Sequence, residues 1–101
     1  MRVKKFAVLT AGSNVLTEVD HEIVILGFYA NRFIETDSIE SAKGKALEIV
    51  QKELGLFCLN AKDDPPQVWI SEIDEIETFP NDALIPGKGF SFFEQKRVYK
   101  S

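Results

Sequence analysis

An α+β fold, an antiparallel sheet of four or five strands with one main helix (about residues 38–54) on one face, is predicted by three features of the sequence. Residues 38–54 repeat apolar side chains at helical spacing, the apolar segments on either side read as strands, and Gly, Pro, Asn and Asp clusters separate them. The 101 residues make a single domain, 1–101, with no repeat and no internal boundary. With 45% hydrophobic and 28% charged residues, the composition is that of a globular protein. Area scaling gives a folded surface of about 5,800 Å² against about 16,500 Å² unfolded, enough burial to hold a core without disulfide staples.

Residues 3–10 (VKKFAVLT) are rich in β-branched and aromatic side chains and too short for a helix, so they read as the first strand. Ala11-Gly12-Ser13-Asn14 breaks it, and the polar run 13–21 reads as a wide connection from which Val15 and Leu16 return to the core. Residues 22–36 (EIVILGFYANRFIET) place Ile23, Ile25, Tyr29 and Phe33 on one parity and Val24, Leu26, Phe28, Ala30 and Ile34 on the other. Both faces of this strand are therefore partly covered. Gly27 marks either a bulge or a close backbone approach, and Asn31-Arg32 is a second irregularity in one long bent strand, with a tight hairpin there as the alternative.

The helix has the clearest signals. Asp37 followed by Glu40 forms a capping box, in which the aspartate accepts a first-turn amide proton and the glutamate reaches back. Ile39, Ala42, Ala46, Ile49, Val50 and Leu54 give the apolar stripe, Leu47 widens it, and Glu40, Lys43, Lys45, Glu48 and Lys52 fall elsewhere. Gly55 stops it in a left-handed conformation. After it, residues 56–60 (LFCLN) fit a short buried strand and Asp63-Asp64-Pro65-Pro66 a turn. Residues 67–79 read as a strand whose parity slips at Asp74-Glu75, against a competing helix through Ile70, Ile73 and Ile76. Residues 80–89 form a loop, and residues 90–94 (FSFFE) are the last strand.

Net charge is −4 with a pI near 5.0, which disfavours general affinity for nucleic acid or anionic lipid. Arg2, Lys4 and Lys5 open the chain and Lys96, Arg97 and Lys100 close it, while Glu72, Asp74, Glu75 and Glu77 crowd one interior stretch. Basic ends flanking an acidic strand account for this pattern, and an acidic edge also discourages stray strand pairing. Cys58 is the only cysteine and lies between Phe57 and Leu59, an apolar setting that leaves a thiol inert. The start of the chain does not read as an export signal, and the longest apolar-rich segment, residues 23–30, is far below the ~20 residues that cross a bilayer. A cytoplasmic, reducing setting is expected, with no membrane partner.

Catalytic signatures are missing from the sequence. One histidine and one cysteine lie far apart, and no serine sits in a G-x-S-x-G elbow. His21, between Asp20 and Glu22, reads as an exposed turn residue rather than a ligand or proton shuttle. The acidic stretches lack the calcium-loop pattern, so neither a metal nor another cofactor is expected. Tyr29, Arg32 and Glu35 are the least implausible contributors to a ligand-binding or enzymatic pocket. Pro86-Gly87-Lys88-Gly89 has the glycines of a phosphate cradle, but no Ser or Thr follows Lys88 and a strand rather than a helix comes next, so it reads as a flexible turn and not a P-loop.

Residues 88–95 (KGFSFFEQ) resemble the first ribonucleoprotein motif of RNA-recognition-motif domains, in which strand aromatics stack on bases. The resemblance implies RNA or single-stranded nucleic-acid binding through residues 90–93. The chain departs from that family in three ways: Gln95 stands where an aromatic belongs, no second motif lies near Phe6, and no helix follows. Residues 27–38 (GFYANRFIETDS), with the helix after them, a later Trp-Ile-x-Glu-Ile strand and a Gly-Phe strand, resemble small bacterial proteins of this length without an assigned activity. That resemblance implies a bacterial, cytoplasmic protein and no catalytic residue.

A helix shields a width of about 10 Å, whereas four strands at about 4.8 Å spacing are wider. The second parity of the long strand, together with Trp69, Phe90, Phe92 and Phe93, holds more apolar surface than one helix covers. The sequence therefore predicts a non-enzymatic protein that forms a homodimer or binds a protein partner through a sheet face or edge, with Trp69, Phe90, Phe92 and Phe93 as contacts. Its competitor is a monomer whose 13–21 and 80–89 loops fold over the far face.

Overall fold

The computed structural model describes residues 2–98, in the order β1(Lys4–Val19), β2(Glu22–Thr36), α1(Ile39–Leu54), β3(Gln67–Ile76) and β4(Ser91–Val98). Lys100, one of the basic terminal residues, lies outside them. The fold is α+β: four strands form one antiparallel sheet in the order β3-β1-β2-β4, and α1 packs against β1, β2 and β3. Among the described residues, no helix is long and apolar enough to cross a membrane.

The expected break after Thr10 is not a break. β1 runs on through Ala11–Asn14 with a bulge between Gly12 and Val15, where Asn14 takes a positive φ of 61°. The wide connection expected over residues 13–21 shrinks to a two-residue turn, Asp20 and His21, with φ of 51° and 68°. Those values match the twist of a tight hairpin, and Asn, Asp and His are the residues that reach positive φ most readily apart from glycine. Polarity suggested a loop there because this end of the hairpin reaches past the helix and its outer residues meet water. β2 is one unbroken strand with no hairpin at Asn31.

Ala42, Ala46, Val50 and Leu54, spaced by four, are the buried stripe of α1. The two alanines let the helix sit close to Phe6, Val8 and Ile34, while Val50 and Leu54 meet Val15, Phe28 and Ala30. Ile39, assigned to that stripe from spacing, is exposed at the first turn. The cap is Ser38 rather than Asp37: its backbone is extended and its Oγ accepts the Ser41 amide at 3.1 Å. Gly55 closes the helix in the right-handed region, at φ −60°. Residues 56–60 are not a fifth strand; they turn off the helix end, and the Leu59 amide donates to the Leu16 carbonyl at 2.7 Å.

β3 carries its bulge at Ser71, since Thr10 pairs with Ile70 but Leu9 pairs with Glu72. That extra residue, and not a slip at Asp74-Glu75, brings Val68, Ile70 and Ile73 all onto the helix side. In β4 the extra residue is Gln95, between Glu94 opposite Leu26 and Lys96 opposite Ile25. β3 lies along residues 5–13 of β1 and β4 along residues 23–29 of β2, so the sheet is staggered and reaches its full width only near Ala11 and Tyr29.

Candidate functional site

Strand alternation sends Val24, Phe28, Ala30, Arg32 and Ile34 toward the helix and Ile23, Ile25, Tyr29, Phe33 and Glu35 to the opposite face. Among the described residues, no element packs on that second face. At its widest row the register aligns Trp69, Ala11, Tyr29 and Ser91 across all four strands, and in the next row Phe93 pairs with Gly27. A β-carbon at Gly27 would meet the Phe93 ring at 2.3 Å, so the glycine is what lets this ring lie flat over the strand. The Tyr29 and Phe93 rings follow at 5.9 Å between centroids. Trp69 is 46%, Tyr29 48% and Phe93 44% exposed. By alternation with Phe6 and Val8, the floor of this face is Ala7, Leu9 and Ala11. Toward one end, Phe33 meets Phe79 edge-on at 5.7 Å, and Lys5 lies by both the Phe79 ring and, at 3.2 Å, the Glu35 carboxylate.

The contact set Trp69, Phe90, Phe92 and Phe93 does not share one surface. Trp69 and Phe93 lie on the open face, but the Phe28–Phe92 pairing puts Phe92 on the helix side. There Phe90 and Phe92 stack at 5.3 Å, with Phe57 at 5.9 Å from each and Phe28 edge-on to Phe90 at 5.3 Å. This group caps the core beyond the helix end. It also changes the reading of the ribonucleoprotein-like motif: Phe90 is half-buried inside the molecule, and of these rings only Phe93 reaches the sheet surface on which bases stack in that family.

Tyr29, Arg32 and Glu35 likewise fail to converge. Tyr29 and Glu35 share the open face, whereas Arg32 has the opposite parity and is fully buried against α1. Its Nη2 donates to Glu53 Oε2 at 3.0 Å and its Nε to Oε1 at 3.3 Å, while Nη1 donates to the carbonyls of Asn31 at 2.6 Å and Gly89 at 3.2 Å. Phe90 lies beside the guanidinium, 5.3 Å from ring centroid to Cζ. Arg32 thus ties β2 to the helix and to the 86–90 loop. It is a structural pin rather than a pocket residue.

The remaining candidates stay apart. His21 is exposed in the hairpin turn. Cys58 is half-buried beside a cavity of about 270 Å³ lined by Gln51, Leu54, Pro66 and Val68. Among the described residues no group of three or more His, Cys, Asp and Glu is placed to hold a metal ion. Tyr29 shares the open face with Trp69 and Phe93; the signal for this in the sequence is its odd parity in β2, shared with Gly27. Comparison of the chain with protein-family models, with curated proteins and with solved structures gives no match.

Proposed function

We propose that this is a non-enzymatic binding protein that self-associates through the open face of its sheet. One observation carries the reading: Trp69, Tyr29 and Phe93 stand roughly half exposed at the widest part of a sheet whose helix α1 lies on the other side. Large aromatics over small floor residues are the composition of an interface core.

The row of Trp69, Ala11, Tyr29 and Ser91 favours a second copy in one orientation. Stacking two open faces about a two-fold axis that runs parallel to the strands through that row sets each Trp69 near a Tyr29–Phe93 pair of the other copy. The arrangement is isologous and closes as a dimer. Nucleic acid is a poorer occupant, because Glu72 and Asp74 border the same face.

Light scattering over a range of concentrations tests this. The chain is expected to approach twice its 11.4 kDa mass, and Trp69→Glu to return it to monomer with unchanged circular dichroism. Leu56→Glu, at the most exposed apolar side chain on the far side of the molecule, is expected to leave the dimer intact. A parent chain that stays monomeric, or a Leu56→Glu variant that alone dissociates, contradicts the reading.

A further inference from the structure

We propose that the gap where β2 and β4 part binds a small oxyanion of the phosphate type. β2 pairs with β4 only as far as Tyr29 opposite Ser91; beyond that row, β4 gives way to the 86–90 loop. The gap between that loop and β2 is a cavity of about 320 Å³ whose walls include Tyr29, Asn31, Lys88, Gly89 and Ser91. Lys88 is the cation of this lining, and no carboxylate belongs to it.

Three features make the gap rich in donors and poor in acceptors. First, the Phe33 amide donates outward to the Pro86 carbonyl at 2.7 Å, so strand alternation turns the amide of Asn31 toward the same edge, into the gap. Second, the two carbonyls that would repel an anion there, those of Asn31 and Gly89, are both engaged by Arg32 Nη1 from behind. The charge of that buried guanidinium is met on the helix side by Glu53. Third, the lining includes Lys88, Tyr29 and Ser91, whose side chains carry an ammonium and two hydroxyl donors.

The loop keeps the space open. Gly87 and Gly89 have φ of 106° and 88°, a region side chains rarely enter, and a β-carbon at Gly89 would point into empty space. An oxyanion entering this gap meets backbone and hydroxyl donors together with one ammonium, the mixture that gives charge-assisted hydrogen bonds. Because Lys88 is exposed, affinity for inorganic phosphate should be roughly millimolar.

The site shares Tyr29 and Ser91 with the open face, while Lys88 and the Asn31 backbone lie beyond the last paired row, so a variant at Lys88 tests it apart from self-association. It is tested by titrating the ¹⁵N-labelled chain with inorganic phosphate, and separately with adenosine monophosphate, at constant ionic strength. Saturable shifts of the Asn31, Gly89 and Ser91 amides are expected, weakened at least ~5-fold by Lys88→Gln and unchanged by Lys62→Gln, which alters an exposed lysine elsewhere. Tighter binding of the nucleotide would assign the site to a phosphate monoester; equal binding would assign it to free phosphate. No saturable shift at these amides with either probe, or a Lys88→Gln variant that titrates like the parent, overturns the proposal.

Discussion

Arg32 joins more of the molecule than any other side chain described here, and its effect follows from burial. A guanidinium removed from water is tolerated only when its donors are filled, and here Glu53 and two backbone carbonyls fill them. Arg32→Met would keep the bulk but strand the half-buried Glu53 and free both carbonyls, so we expect a loss of about 3 kcal/mol in urea denaturation. Glu53→Gln keeps an acceptor for the guanidinium and should cost only about 1 kcal/mol. An Arg32→Met variant as stable as the parent would remove its role as a pin. Parity in the sequence already groups Arg32 with Phe28, Ala30 and Ile34. What it does not show is Glu53, which lies 21 positions away and meets Arg32 only once the helix has folded back on β2.

At the scale of elements, the helix was legible because its signal is local. Spacing by four among Ala42, Ala46, Val50 and Leu54 identifies the buried face without knowledge of what it packs on. Val50→Asp should therefore unfold the chain, since an unpaired carboxylate would enter a fully buried site, whereas Lys45→Glu, exposed on the other face, should barely move the melting temperature. Gly44 is a helix-interior glycine with nothing within 4 Å of its missing β-carbon, so Gly44→Ala should stabilise by about 1 kcal/mol, read by the same melts. Less local features were misread. The cap fell on Ser38 instead of its neighbour Asp37 because capping depends on the backbone angles of one residue. The polar stretch before His21 became strand because hairpin pairing with β2, set by a distant partner, outweighed its composition.

For the whole molecule, the mismatch between one helix and a four-stranded sheet was readable from widths alone, and the sheet does present a face with no element on it. Which rings occupy that face was not readable, because it depends on the register of β3 on β1 and of β4 on β2, strands far apart in sequence. A one-residue shift moves a side chain to the other face. Alternation separates Phe92 from Phe93, but which of the two faces out, and that Tyr29 lies beside Phe93, follow only from that register. The dimensions of 57 × 29 × 20 Å follow from the same stagger, since a long central hairpin flanked by shorter strands at opposite ends spreads its surface instead of closing on itself.

Trp69 is the only tryptophan of the chain and lies within the proposed interface, so its fluorescence reports directly on whether that face is covered. On dilution from high concentration, the emission maximum should move to the red as water reaches the indole, with the same midpoint as the fall in mass. An emission maximum already that of a solvated indole at the highest concentration, and constant on dilution, would show the face bare and contradict the account.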